Sequence, residues 1–231
     1  MTLSLDERTG TPVNTYPEQF RPPRELSMGV LFLASGVLFV RAVADPPIIG
    51  TWGDSPAEAV TDVAGHKTAW YVNTWLIALS VVAGIAAVTL LARSLRTDTA
   101  RVGAAFYLVG SGLILMSVTF DLTVTSGLIG GSAVPDWYLG IEQWSDGLGT
   151  AFFALLAPTA MVCLGAEIVR TRVLPRWTGV VFLVAAAVLL GQYLAFLGAL
   201  PFPQFLAFAA IGIAAIRRGR QARADEPSTR A

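Results

Sequence analysis

The stretch Arg101–Asp121, RVGAAFYLVGSGLILMSVTFD, holds no charge between its two ends. Its ends are twenty residues apart. On a helix rising about 1.5 Å per residue this is about 30 Å, the thickness of a bilayer's hydrocarbon core. The run therefore reads as a helix that crosses a membrane, with Arg101 at one boundary and Asp121 at the other. An ionised carboxylate at that boundary costs far less than one at the bilayer centre. It is still an acid next to Leu122-Thr-Val-Thr-Ser126, a continuation that otherwise suits lipid.

The whole chain agrees with this reading. Of 231 residues 54% are hydrophobic and 14% charged, against about a quarter charged in an ordinary soluble domain. Mean hydropathy is +0.61. Net charge is zero, so no global basic field points to nucleic acid. Cys163 is the single cysteine; it has no internal disulfide partner and reads as a small apolar side chain. The basic residues are fifteen Arg and Lys67, a bias that suggests a bacterial, GC-rich coding sequence.

Working outward, apolar segments fall at about 27–43, 68–92, 102–126, 147–169, 177–198 and 201–216. The sequence thus predicts an all-α, polytopic bundle of six transmembrane helices over 27–216. A flexible cytoplasmic tail covers 1–26 and a basic, then polar cytoplasmic tail covers 217–231. The last two helices are separated only by Gly198-Ala-Leu-Pro-Phe-Pro203. Charge supports the topology. With both termini cytoplasmic, fourteen of the sixteen basic residues lie inside, and only Arg41 and Lys67 lie outside. The outer connections carry Asp45, Asp54, Glu58, Asp62, Asp136, Glu142 and Asp146. That asymmetry is the positive-inside rule, and it places the chain in a bacterial inner membrane. Ala42-Val-Ala44 also resembles a signal-peptidase site, whose use would leave five helices. Against it stand the long acid-containing n-region and Arg41 beside the site.

The first outer loop carries Ser55-Pro-Ala-Glu58, a capping box with Pro at the first helical position. It predicts a short amphipathic helix over 56–64, with Val60, Val63 and Ala64 on one face. Pro158 predicts a kink in the fourth helix. Ala187, Gly191, Ala195 and Ala199 form a small-residue stripe on the fifth, suited to close approach by the sixth helix or by another protomer.

Asp121 is one of several polar groups at a common outer depth. Arg41 lies seventeen residues after Arg24, about 25 Å along a helix. His66 opens the second helix with Asn73 about two turns deeper, Glu142 and Asp146 precede the fourth, and Gln192 and Tyr193 sit in the outer third of the fifth. Two readings stand open. The eight residues form an outer polar bowl with Arg41–Asp121 as an ion pair, or each faces the headgroups separately.

Catalytic and metal readings have little support. One His in the chain excludes a His-based metal cluster and bis-His haem ligation. Grouping His66, Asp121 and Ser126 lacks a nucleophile elbow, and Glu142 with Asp146 suits the start of a helix as well as a cation. No catalytic residue, metal ligand or cofactor is assigned.

The inner loop Arg170–Gly179, RTRVLPRWTG, resembles a piece of uncharacterised bacterial multi-helix membrane proteins, among them the family of domain of unknown function 4386. The similar helix count extends the likeness over 27–216, while Ala105–Gly110 departs from that family's third helix. The resemblance implies a membrane helix bundle and carries no catalytic residues. The function expected is binding of a small ligand, a lipid or a membrane partner protein at the outer polar site, with the lipid bilayer as surroundings and no nucleic acid. The alternatives are a small transporter or channel, or a membrane enzyme acting on a lipid-borne substrate with His66 and Asp121 as acid and base.

Overall fold

The computed structural model describes residues 22–44, 58, 60, 63–128, 134–196 and 200–224. Every regular element among them is helical: α1 (Pro22–Val43), α2 (Lys67–Leu95), α3 (Asp98–Leu128), α4 (Asp136–Thr171), α5 (Arg176–Phe196) and α6 (Phe202–Ala224). A short 3-10 turn, Ala64–His66, leads into α2. Five helices, α1 to α5, are long and apolar enough to cross a membrane. The apolar part of α6 ends at Ile216, before Arg217, Arg218 and Arg220. Its fifteen residues rise about 22 Å, short of the core thickness.

Several expected boundaries move because charged residues continue the helices. The first helix begins at Pro22 rather than 27, and the last runs to Ala224 rather than 216. Thus 22–26 and 217–224 are helical, while 1–21 and 225–231 lie outside the described residues. One long-range contact explains both extensions. Glu25, buried at 4% exposure, lies 3.8 Å from Arg218 of α6, which also donates to the Val173 carbonyl at 2.7 Å. α3 starts at Asp98, where the Thr97 hydroxyl caps the Ala100 N–H at 3.2 Å. α4 starts at Asp136, so Glu142 and Asp146 sit within it. Glu58, Val60 and Val63 of the outer loop are helical. Val60 and Val63 are buried as expected for an apolar face, Ala64 is exposed, and the capping residues Ser55 and Pro56 lie outside the described residues.

Each helix packs against its neighbours in sequence, and α1 closes the ring by packing on α6. The closure is tight. A Cβ on Gly36 would sit 2.6 Å from the Phe205 carbonyl oxygen, and one on Gly212 would sit 2.6 Å from the Leu33 nitrogen. Only glycine lets the two backbones approach so far. α4 and α5 touch the same way through Gly165 and Gly179. Among the described residues nothing packs closely on the expected small-residue stripe of α5. Ala187, Gly191 and Ala195 are exposed, a Cβ on Gly191 would meet nothing within 4 Å, and Ala199 lies outside the described residues. The centre is aromatic: Phe208 packs against Phe32, Tyr107 and Phe182 with ring centroids 5.0, 5.7 and 5.9 Å away.

Two helices each contain one turn of π-helix, Asp121–Thr125 in α3 and Phe152–Leu156 in α4. The second lies just before Pro158, which has no N–H to offer the Ala154 carbonyl. The Ala157 N–H reaches back to the Phe152 carbonyl instead, so the wider turn shifts the ladder's register ahead of the proline.

Candidate functional site

The π-turn of α3 sets the outer site. There the Ser126 N–H bonds the Asp121 carbonyl, and the Ser126 hydroxyl donates to the same oxygen at 2.8 Å. The widened turn aims Asp121 and Thr125 at the first part of α4. Thr125 Oγ1 donates to Asp121 Oδ1 at 3.3 Å and lies 3.1 Å from the Tyr138 hydroxyl. A threonine hydroxyl has one proton to give. With that proton on Asp121, Tyr138 is the donor to Thr125, and the three groups form a directed chain from Tyr138 to Thr125 to Asp121. One turn deeper, Ser145 donates to Ser117 at 2.9 Å and again joins α4 to α3. Stacked Phe120 and Tyr138, with centroids 5.7 Å apart, and Val60 of the outer loop form a small apolar cluster beside the site.

Asp121 on α3 lies within electrostatic range of two carboxyl groups of α4. The two are Asp146 and Glu142, which stand one helical turn apart on α4 and also act on each other. The groups acting on Asp121 are Thr125, Asp146 and Glu142, with no cation among them. Among the described residues no three His, Cys, Asp or Glu side chains converge closely enough to hold a metal ion.

The expected bowl of five helices is therefore drawn here from two, α3 and α4. Arg41 does not pair with Asp121. It is exposed at the outer end of α1, which packs between α2 and α6, and it borders a separate groove. His66 is exposed at the end of the 3-10 turn, and Asn73 is buried in α2 at 1% exposure. Gln192 and Tyr193 are half-buried on α5, and Gln192 Oε1 is a buried atom without a hydrogen-bond partner.

The sequence reading missed a second polar group at the heart of the ring. Ser35 of α1 donates to the Ser80 carbonyl of α2 at 2.7 Å, and Gln204 Nε2 of α6 reaches the Tyr107 hydroxyl of α3 at 3.4 Å. Gly84 joins the two pairs, because a Cβ there would crowd both the Tyr107 and Ser35 hydroxyls. Ser35, Ser80, Ser111 and Gln204 are 0% exposed and Tyr107 1%. Gln204 Oε1 has no hydrogen-bond partner. The available signal was a sparse set of uncharged polar residues within apolar runs, with Gln204 at the start of the predicted sixth helix, next to the Gly198–Pro203 connection.

No protein-family model matches the chain, and no curated protein or solved structure shows a match to it.

Proposed function

We propose that this chain is a multi-pass protein of a bacterial cell membrane, with six membrane-embedded helices and both termini inside. At its outer end it binds the cationic amine of a small ligand or lipid headgroup between α3 and α4. The observation that carries the binding reading is the chain from Tyr138 through Thr125 to Asp121, with Glu142 and Asp146 within electrostatic range and no cation among the groups acting on Asp121. Like charges held together at a membrane boundary repel one another until protons or a cation neutralise them. An ammonium group suits this site because it needs hydrogen-bond acceptors and negative potential, without the close convergence a metal requires. The hydroxyls of Thr125, Tyr138, Ser117 and Ser145 add neutral partners. The topology rests on the fourteen basic residues that fall on one side.

The test is native mass spectrometry of protein released gently from its membrane, followed by thermal-shift titration with ethanolamine and choline. The expected result is a retained amine-bearing mass and a saturable rise in melting temperature that Asp121→Asn with Glu142→Gln abolishes. A bare chain that neither amine stabilises, or stabilisation that survives in the double variant, defeats the reading.

One observation favours a second reading, the passage of a small polar solute. The Ser35, Ser80, Tyr107, Ser111 and Gln204 group puts polar atoms in the bundle interior, where a pathway needs them. Solute-dependent swelling of proteoliposomes that Tyr107→Phe abolishes would favour passage over binding.

A further inference from the structure

One side chain ties the α4–α5 connection to α6. Arg218 of α6 donates to the Val173 carbonyl at 2.7 Å, and Val173 and Leu174 of the connection are buried. Arg172 and Arg217 are the chain neighbours of the two residues so joined, and consecutive Cα atoms lie about 3.8 Å apart. Arg176 opens α5 just beyond the connection. All three arginines are exposed. The bond thus gathers three positive charges at one corner of the inner face. Among the described residues the acids at this end are Glu25, Asp98 and Glu167. Each is engaged with an arginine outside the group: Arg218 at 3.8 Å, Arg101 at 2.9 Å and Arg170 at 2.8 Å. Arg172 also ends α4 in left-handed backbone (φ 57°). Glycine serves a helix stop there better; the arginine adds a charge. An apolar surface runs on from these charges. Trp177, Val180 and Val184 of α5 are 49, 49 and 56% exposed. Spacings of three and four residues put them on one helix face, and Arg176 lies on the same face four residues before Val180. The helices that α5 packs on, α4 and α6, leave this face open.

We propose that this corner binds an anionic phospholipid of the inner leaflet. Its phosphate accepts hydrogen bonds from Arg172, Arg176 and Arg217, and one acyl chain lies along Trp177, Val180 and Val184. A guanidinium presents five N–H donors in a planar fork that matches phosphate oxygens. The excess positive charge selects a headgroup with net negative charge over a zwitterionic one. The exposed face of α5 selects a lipid over a free anion, because the charges stand at the foot of an apolar strip, with Trp177 at the level where indoles seat in the interface. The site lies at the opposite end of the bundle from Asp121, and it rests on the membrane reading above.

The full-length protein in detergent is titrated with palmitoyl-oleoyl phosphatidylglycerol, or with palmitoyl-oleoyl phosphatidylcholine, which has the same chains and phosphate but no net charge. Bound lipid is counted by native mass spectrometry. Saturable binding of phosphatidylglycerol is expected, with phosphatidylcholine bound more weakly. Arg172→Gln with Arg176→Gln should weaken phosphatidylglycerol binding about thirty-fold, about five-fold for each arginine, with helicity by circular dichroism unchanged. Arg93→Gln with Arg96→Gln removes the same charge from the end of α2 on the same side of the bundle and should leave binding as it is. Equal weakening by the two pairs overturns the proposal, because a diffuse surface charge would then account for the binding. Equal binding of the two lipids overturns it as well. So does inorganic phosphate that binds as tightly as the lipid, since the apolar strip would then contribute nothing. A lipid-free dimer that the Arg172 and Arg176 variant dissociates would give the corner to a second copy of the chain instead. Carbonate washing of membranes tests the underlying reading separately. A chain that washes off overturns both, and one that stays while retaining no phospholipid overturns the site alone.

Discussion

Replacing Gln204 with Leu should stabilise the protein, although it deletes a hydrogen bond between helices. The side chain is 0% exposed, its Nε2 reaches the Tyr107 hydroxyl at a long 3.4 Å, and its Oε1 has no partner. Exchanging the amide oxygen and nitrogen would only move the unpaired atom from one to the other. Hydrogen bonds between helices in a membrane protein average about 0.6 kcal/mol, and this one is longer than the usual range. A buried polar atom left unsatisfied costs about 1–3 kcal/mol. Leucine removes both terms at similar volume, so Gln204→Leu should gain about 0.5–2 kcal/mol. Tyr107→Phe should act in the opposite direction. It leaves both amide atoms of Gln204 unpaired and should lose about 1–3 kcal/mol. The double variant should fall within about 0.5 kcal/mol of Gln204→Leu, because the phenyl ring introduced on α3 then faces no stranded amide. Reversible unfolding in mixed micelles, titrated with sodium dodecyl sulfate and followed by circular dichroism, measures all three. A loss of more than about 1 kcal/mol in Gln204→Leu would refute the reasoning. Gln204 Oε1 would then be satisfied in the native membrane, and the central group would be a binding element in its own right.

The left-handed backbone of Arg96 (φ 54°) and Arg172 (φ 57°) at the ends of α2 and α4 predicts that Arg→Gly at either position stabilises by about 1 kcal/mol in the same unfolding assay. Gly36→Val should destabilise by about 2 kcal/mol or more, because its Cβ would meet the Phe205 carbonyl. Gly191→Ala, with open space around its Cβ, should gain about 0.5–1 kcal/mol through helix propensity; if both glycine variants behave alike, the packing of α1 on α6 is not as described. Arg218→Ala should lose about 1–3 kcal/mol by stranding Glu25 and the Val173 carbonyl, and Glu25→Gln in the same chain should recover part of it. In a Cys163→Ala background, Thr97→Cys should react with an impermeant maleimide only in inside-out vesicles and Asp136→Cys only in right-side-out vesicles. The reverse pattern would invert the topology.

Depth along a membrane helix is one-dimensional, and residue count supplies it. That is why Asp121, Glu142 and Asp146 could be placed at a common level from Arg101 and the flanking charges. Which way a side chain points around its helix depends on which helices are neighbours, and no local pattern encodes that. Arg41 shares the depth of Asp121, yet α1 packs between α2 and α6 while Asp121 belongs to α3. The predicted ion pair therefore does not form between these two helices. Glu25 and Arg218 were misplaced in tails for the related reason that their contact spans most of the chain. The π-turns were hidden as well, because Asp121–Thr125 has the same composition in either helical register. Only Pro158 pointed toward the irregularity at Phe152–Leu156.

The packing of α1 against α6 also sets a timetable for synthesis. The face of α1 bearing Gly29 and Gly36 meets its partners, Phe205 to Ile216, only after Ile216 has been added, 173 residues after Val43. At roughly 5–20 residues per second this is a wait of roughly 9 to 35 s. During that interval α2 can cover Ser35, but the glycine face still lacks the α6 backbone it packs on. Closure of α1 on α6 thus follows the synthesis of α2 to α5. Any ribosomal pause before Phe202 prolongs the period in which the glycine face could recruit a foreign helix.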